Sequence, residues 1–144
     1  MSFDIQTSQT SMAGVIATGT IGTRTSFSIA IGLVEPGTGS TQGVIGVVGW
    51  GADFSPTSPF ISDGYWHSVL VSYNGTALRI WIDGNLTSVA TQNTFDGETG
   101  DRSISYNTVG DNNYLGGYSS SFGDLYFNGK LKNIIVYDTS SNTT

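Results

Sequence analysis

One stretch, residues 63 to 85 (DGYWHSVLVSYNGTALRIWIDGN), restricts the fold more than any other. Trp66, Ser68, Leu70 and Ser72 alternate with His67, Val69, Val71 and Tyr73; then Leu78, Ile80 and Ile82 alternate with Arg79, Trp81 and Asp83. Successive side chains of a strand point to opposite faces, so each run predicts a strand with one face toward a core. Asn74-Gly75 between the runs tolerates the positive φ angles of a tight turn, and Asp83-Gly84 closes the second run with another turn pair. The stretch therefore predicts two antiparallel strands in fixed register. Trp81 falls on the face opposite Ile80 and Ile82, where an outward position would mark a contact surface.

The remaining sequence repeats this pattern in weaker form. Phe3, Ile5 and Thr7 alternate with Asp4 and Gln6; residues 14–19 are apolar and bounded by glycine; Phe27, Ile29, Ile31 and Leu33 share a face. A fourth strand is expected over Val44, Ile45, Val47 and Val48, ending at Trp50, and another over residues 104–109. Residues 125–136 predict a final pair of strands around Asn128-Gly129. Residues 35–40, 53–59, 95–102 and 116–123 read as loops from their glycine, proline and polar content. No helical periodicity or internal repeat is present. With 20 glycines and only 11% charged residues in 144, the composition is that of a turn-rich sheet protein. The expectation is a single all-β domain over residues 1–144.

Charge and residue usage exclude several functions. A net charge of -6 with five Lys and Arg leaves no basic face for nucleic acid. It gives no support for binding an anionic membrane surface, and no apolar run approaches a membrane span. The opening Met1-Ser2-Phe3-Asp4 does not read as a signal peptide. With no cysteine, disulfides, thiolate metal sites and thiol catalysis are all excluded. Sequons stand at Asn74, Asn85 and Asn142.

Residues 66–84 resemble the central core of laminin-G-like, concanavalin-A-like jelly rolls: Trp66-His67, alternating apolar residues, a turn, then Leu78-Arg79-Ile80-Trp81-Ile82-Asp83-Gly84. The segment from Phe127 to Asp138 is similar to that family's closing motif, and residues 14–19 and 26–29 resemble the strands preceding its core. The resemblance implies an antiparallel two-sheet β-sandwich and a non-catalytic, extracellular or surface-exposed recognition or adhesion module. Carbohydrate is the expected ligand, as free glycan or glycoprotein, and no cofactor is required. One departure from the family concerns the beginning of the chain. One or two strands normally precede the segment that Phe3, Asp4, Ile5 and Gln6 resemble, so either the domain is a compact variant or these residues form an open edge that a strand from another chain completes. The rival function is accordingly a self-associating subunit of a fibre, appendage or viral surface joined by strand exchange.

Glycoside hydrolysis on this scaffold needs two carboxylates roughly 5 to 9.5 Å apart. The only glutamates, Glu35 and Glu98, fall in predicted loops and match no catalytic strand. His67, the sole histidine, has no partner evident in the sequence and reads as a framework residue beside a packed Trp66. Sugar binding needs aromatic faces beside amide groups, which selects Tyr114 and Tyr118 with Asn112 and Asn113. Trp50 and Tyr65 are further candidates that could equally cap the core. For an optional calcium ion the oxygen donors are Asp111, Asn113 and Asp124, residues that also suit plain turns.

Overall fold

The computed structural model describes residues 1–18, 27–32, 34–35, 39–40, 42–48, 54, 56, 59–74, 77–91, 113–120 and 123–137. Among these there are strands and no helix. Five strands form one antiparallel sheet in the order β13 (Gly129–Ile135), β1 (Ser2–Thr7), β7 (Trp66–Tyr73), β8 (Ala77–Ile82) and β9 (Asn85–Thr91). Four form a second: β10 (Asn113–Leu115), β2 (Ala13–Thr18), β3 (Phe27–Ile31) and β6 (Ile45–Val48). Two ribbons complete the set, β4 (Val34–Glu35) with β5 (Gly39–Ser40), and β11 (Gly117–Ser120) with β12 (Gly123–Tyr126).

The alternation in residues 66–82 is realised as read. Val69, Val71, Leu78, Ile80 and Ile82 are buried, and β7 pairs β8 from Val69 opposite Ile82 to Tyr73 opposite Leu78. They meet Phe3 and Ile5 of β1, Val15 of β2, Ile29 and Ile31 of β3, and Ile45 and Val47 of β6 in one core cluster. Both sheets feed that cluster, so the fold is a two-sheet β-sandwich. Asp83 and Gly84 have φ angles of 52° and 77°, and Ile82 pairs with Asn85. This is a two-residue turn whose twist matches the strands it joins. At the other hairpin Asn74 accepts the Ala77 N–H on its side-chain oxygen at 2.9 Å, while Gly75 lies outside the described residues.

Three expectations are corrected. Residues 116–123, read as a loop because of their Gly and Ser, contain β11, paired with β12 from Gly117 opposite Tyr126 to Ser120 opposite Gly123. The segment at 35–40 likewise carries the β4–β5 pairing. The open edge is also absent from Phe3, Asp4, Ile5 and Gln6: β1 is hydrogen-bonded to β7 on one side and to β13 on the other. The late strand β13 returns beside β1, and Phe3 and Ile5 are buried. The edge is β13 itself, which bears Lys130, Lys132 and a register shift with Asn133 at φ 52°. Lysines and irregular register are features that discourage edge-to-edge pairing.

Trp81 does lie on the outer face. Register places Ile135, Ser2, Leu70, Trp81 and Leu86 in one row across the five-stranded sheet.

Candidate functional site

Where β1 leaves its sheet, residues 6–11, Gly64 and residues 128–130 enclose an open cleft of about 710 Å³. Its walls are polar, and hydrogen bonds hold them. Gln9 is the staple: its side-chain oxygen accepts the Asn128 N–H at 2.7 Å and its amide nitrogen donates to the Tyr126 carbonyl at 3.2 Å. Buried Thr7 donates its hydroxyl to the Asn128 carbonyl at 2.7 Å and accepts the Gln9 N–H at 2.9 Å. Gln6 donates to the Gly64 carbonyl at 2.8 Å, and the Gly64 N–H donates to the Thr7 carbonyl at 2.9 Å. The Ser62 hydroxyl donates to the Gln9 carbonyl at 2.6 Å, and the Gly43 N–H to that of Thr10 at 3.2 Å. Satisfied donors and acceptors of this kind fix a loop that has little apolar surface to bury. Among the described residues, the Ser8, Asn128 and Lys130 side chains take no part in the network.

Exposed aromatic residues adjoin this lining along the chain and through its hydrogen bonds. Tyr65, next to Gly64, is 73% exposed; Tyr126, whose carbonyl receives Gln9, is 71% exposed. Trp66 pairs with Gln6 in register, is 40% exposed, and carries the Lys132 ammonium 4.1 Å above its ring. Trp66, expected from the sequence to be packed beside His67, is not packed away. It is instead an outward residue, as the alternation with buried Val69 and Val71 requires.

His67 stands beside this site with two partners that its sequence surroundings did not disclose. Its Nε2 lies 3.0 Å from Asp63 Oδ1 and its Nδ1 2.8 Å from Asp83 Oδ2. Asp63 Oδ1 also accepts the Tyr65 N–H at 2.9 Å, which shapes the cleft wall. Asp83 is held by β7, accepting the Ser68 N–H on Oδ1 at 2.8 Å and donating its own N–H to the Ser68 carbonyl at 2.8 Å. Partial burial disfavours charge on the ring, but the hydrogen bonds and charges of Asp83 and Asp63 outweigh it and raise the His67 pKa above 6.5. Asp63 is lowered below 3.8, first by the Tyr65 N–H and then by His67. At Asp83 burial acts upward, but the bonds from His67 and Ser68 prevail and lower its pKa. A ring donating from both nitrogens has no free lone pair, so this arrangement does not suit a general base.

A laminin G domain profile matches residues 37–139. The chain belongs to the laminin G domain family. Domains of this family are typically extracellular recognition or adhesion modules and typically non-catalytic. No curated protein matches the chain. No helix among the described residues is long and apolar enough to cross a membrane. Gly64 and residues 128–130 fall within the matched laminin G segment, whereas residues 6–11 precede it. The cleft thus joins family framework to a wall outside the family match.

The predicted site residues divide. Tyr65 follows the lining residue Gly64 and is exposed. Tyr114 is on β10 opposite Ala17, toward the other end of β2. Asn113 and Tyr118 lie on β10 and β11, opposite Thr18 and Leu125. Trp50, Asp111 and Asn112 lie outside the described residues. Asp124 is exposed and accepts the Tyr126 hydroxyl at 3.1 Å. Among the described residues no three His, Cys, Asp or Glu side chains are grouped to hold a metal ion. Sequence reasoning missed Tyr126 and Gln9. Tyr126 alternates with half-buried Leu125 and Phe127, a pattern that could have marked it as outward. Gln9 carries no local signal of its role as a staple, because the Tyr126 and Asn128 groups that its side chain bonds lie 117 and 119 residues away.

Proposed function

We propose that this laminin G domain is a non-catalytic recognition module that binds carbohydrate in the cleft formed by residues 6–11, Gly64 and residues 128–130. The observation that carries the reading is a polar cleft next to which the chain places two tyrosines more than two-thirds exposed, Tyr65 beside Gly64 and Tyr126 joined through its carbonyl to Gln9. Large aromatic rings normally bury their area, and rings left in water beside hydrogen-bonding groups suit the C–H faces and hydroxyls of a pyranose. Ser8, Asn128 and Lys130 supply polar groups outside the framework network. The biological ligand is a glycan or glycoprotein outside the cell.

The test is calorimetric titration with cellohexaose and maltohexaose, with and without calcium, on the wild type and on Tyr65→Ala and Tyr126→Ala. At least a tenfold loss of affinity in each variant, with melting temperature kept, is expected because packing of pyranose C–H faces on the rings is a contact of the bound state and the exposed rings contribute little to the core. Tyr114→Ala and Tyr118→Ala serve as a second arm. Loss only in that arm, or a calcium requirement traced to Asp111, Asn113 and Asp124, would move the site to β10 and β11. Failure of both hexasaccharides to bind at millimolar concentration would overturn the cleft reading. Self-association stays the rival function, and sedimentation velocity over a hundredfold concentration range separates it from a monomeric binder.

A further inference from the structure

We propose that His67 is a proton-dependent clasp beside the cleft, holding Asp63 and, through it, Tyr65 in their binding shape while its ring carries two protons and releasing them when one is lost. The proposal rests on the recognition reading for its consequence, and on geometry for its mechanism. Each ring nitrogen faces a carboxylate oxygen, at 3.0 Å on the Asp63 side and 2.8 Å on the Asp83 side. Only the imidazolium can donate to both, since a neutral ring has one N–H and one lone pair. The charged groups facing the ring are Asp63, from the segment before β7, and Asp83, from the β8–β9 turn; β1 presents Ile5 opposite.

The two contacts are not equivalent. Asp83 is fixed by paired backbone bonds to Ser68, and its contact with the ring is the shorter. Asp63 is held by the Tyr65 N–H and by the ring. The remaining proton therefore stays on Nδ1 and the departing one leaves Nε2. A lone pair then points at Asp63 Oδ1 across 3.0 Å, and repulsion drives that carboxylate away. Asp63 Oδ1 is also the acceptor for the Tyr65 N–H, so its departure frees Tyr65, while Gly64 stays tied to Gln6 and Thr7. Ligand binding is thus strongest with His67 protonated and weakens as the pH rises through its pKa.

The test begins without ligand. Nitrogen-15 imidazole spectra of the full chain should show both ring nitrogens protonated near pH 6 and, at about pH 9, a neutral ring carrying its proton on Nδ1. Over the same titration the protection factor of the Tyr65 amide should fall roughly five- to tenfold, the loss of about one hydrogen bond. Asp63→Asn should bring the His67 pKa down toward its ordinary value and flatten the Tyr65 titration. A neutral ring protonated on Nε2, or Tyr65 protection that ignores the His67 titration, would overturn the clasp. Cellohexaose and maltohexaose binding across the same range forms the ligand arm. Tyr65 release without binding of either sugar supports the clasp while rejecting the carbohydrate reading. Binding whose affinity does not fall across the His67 titration overturns the gating itself.

Discussion

Gly32 lies beneath the cleft loop, and replacing it with alanine should show how far that loop depends on close backbone contact. Its φ is +65°, and its N–H donates to the Val44 carbonyl at 3.0 Å. An added Cβ would meet the Thr10 carbonyl oxygen and stand 2.8 Å and 2.9 Å from the Ser11 carbonyl carbon and oxygen. All three atoms are backbone, so no flexible side chain can move aside. Gly84 offers the control, since it also has positive φ, +77°, but has nothing within 4 Å of an added Cβ. Both variants bear the left-handed strain of about 1–2 kcal/mol. Gly32→Ala adds an overpacking cost of about 1–3 kcal/mol. At roughly 3 °C per kcal/mol for a chain of this size, Gly84→Ala should lower the melting temperature by about 3–6 °C and Gly32→Ala by about 6–15 °C. Thermal unfolding by circular dichroism measures both. Backbone amide shifts in Gly32→Ala should move at Thr10 and Ser11, and at Gly43, whose N–H bonds the Thr10 carbonyl. Equal melting temperatures for the two variants would refute the claim that the cleft loop rests on Gly32.

Two further outcomes are expected. Leu78→Ala removes a fully buried side chain from the core and should cost about 2–5 kcal/mol in chemical denaturation. Stability should also depend on pH through His67 and its two carboxylates. The His67 contribution is complete below its unfolded value of 6.5 and is lost as the pH rises through the raised folded value. Those of Asp63 and Asp83 are complete above 3.8 and are lost as the pH falls through their lowered values. Denaturation midpoints should therefore be highest between these limits and decline on the alkaline side, and His67→Gln should remove that alkaline decline.

The strands were legible where one face is buried and the other wet. In β7 and β8 the alternation alone placed Val69, Val71, Leu78, Ile80 and Ile82 inside, and Asp83-Gly84 signalled the turn. The reading failed where pairing supplies what composition conceals. Gly117 to Ser120 has little apolar content, yet β12 gives it a complete partner. The position of β1 could not be read locally, because β13, which covers its other side, lies some 125 residues along the chain, as in the pairing of Gln6 with Lys130. The cleft was illegible for the same reason. Its staple joins Gln9 to Asn128 and Tyr126, and its clasp joins Asp63 and Asp83 through His67. Among the described residues predicted to bind, only Tyr65 adjoins the lining of that cleft, next to Gly64 in the chain.

The place of the cleft follows from how a sandwich divides its labour. The row from Ile135 through Leu70 and Trp81 to Leu86 is apolar, but Lys132, Asp4 and Ser68 lie in the neighbouring register row. Scattered outward apolar residues on a sheet require no partner. At the end of β1 the chain instead leaves its hydrogen-bonded ladder, and its backbone groups must find partners among turns and side chains. Gln6, Thr7 and Gln9 meet that demand, which fixes the walls; Ser8, Asn128 and Lys130 line the same cleft. His67 stands one residue inside the ladder, with Asp83 on the rigid strand side and Asp63 on the loop side. A change in its charge is therefore felt by the loop before it is felt by the sheet. That asymmetry is why protonation at this position would alter recognition while leaving the fold in place.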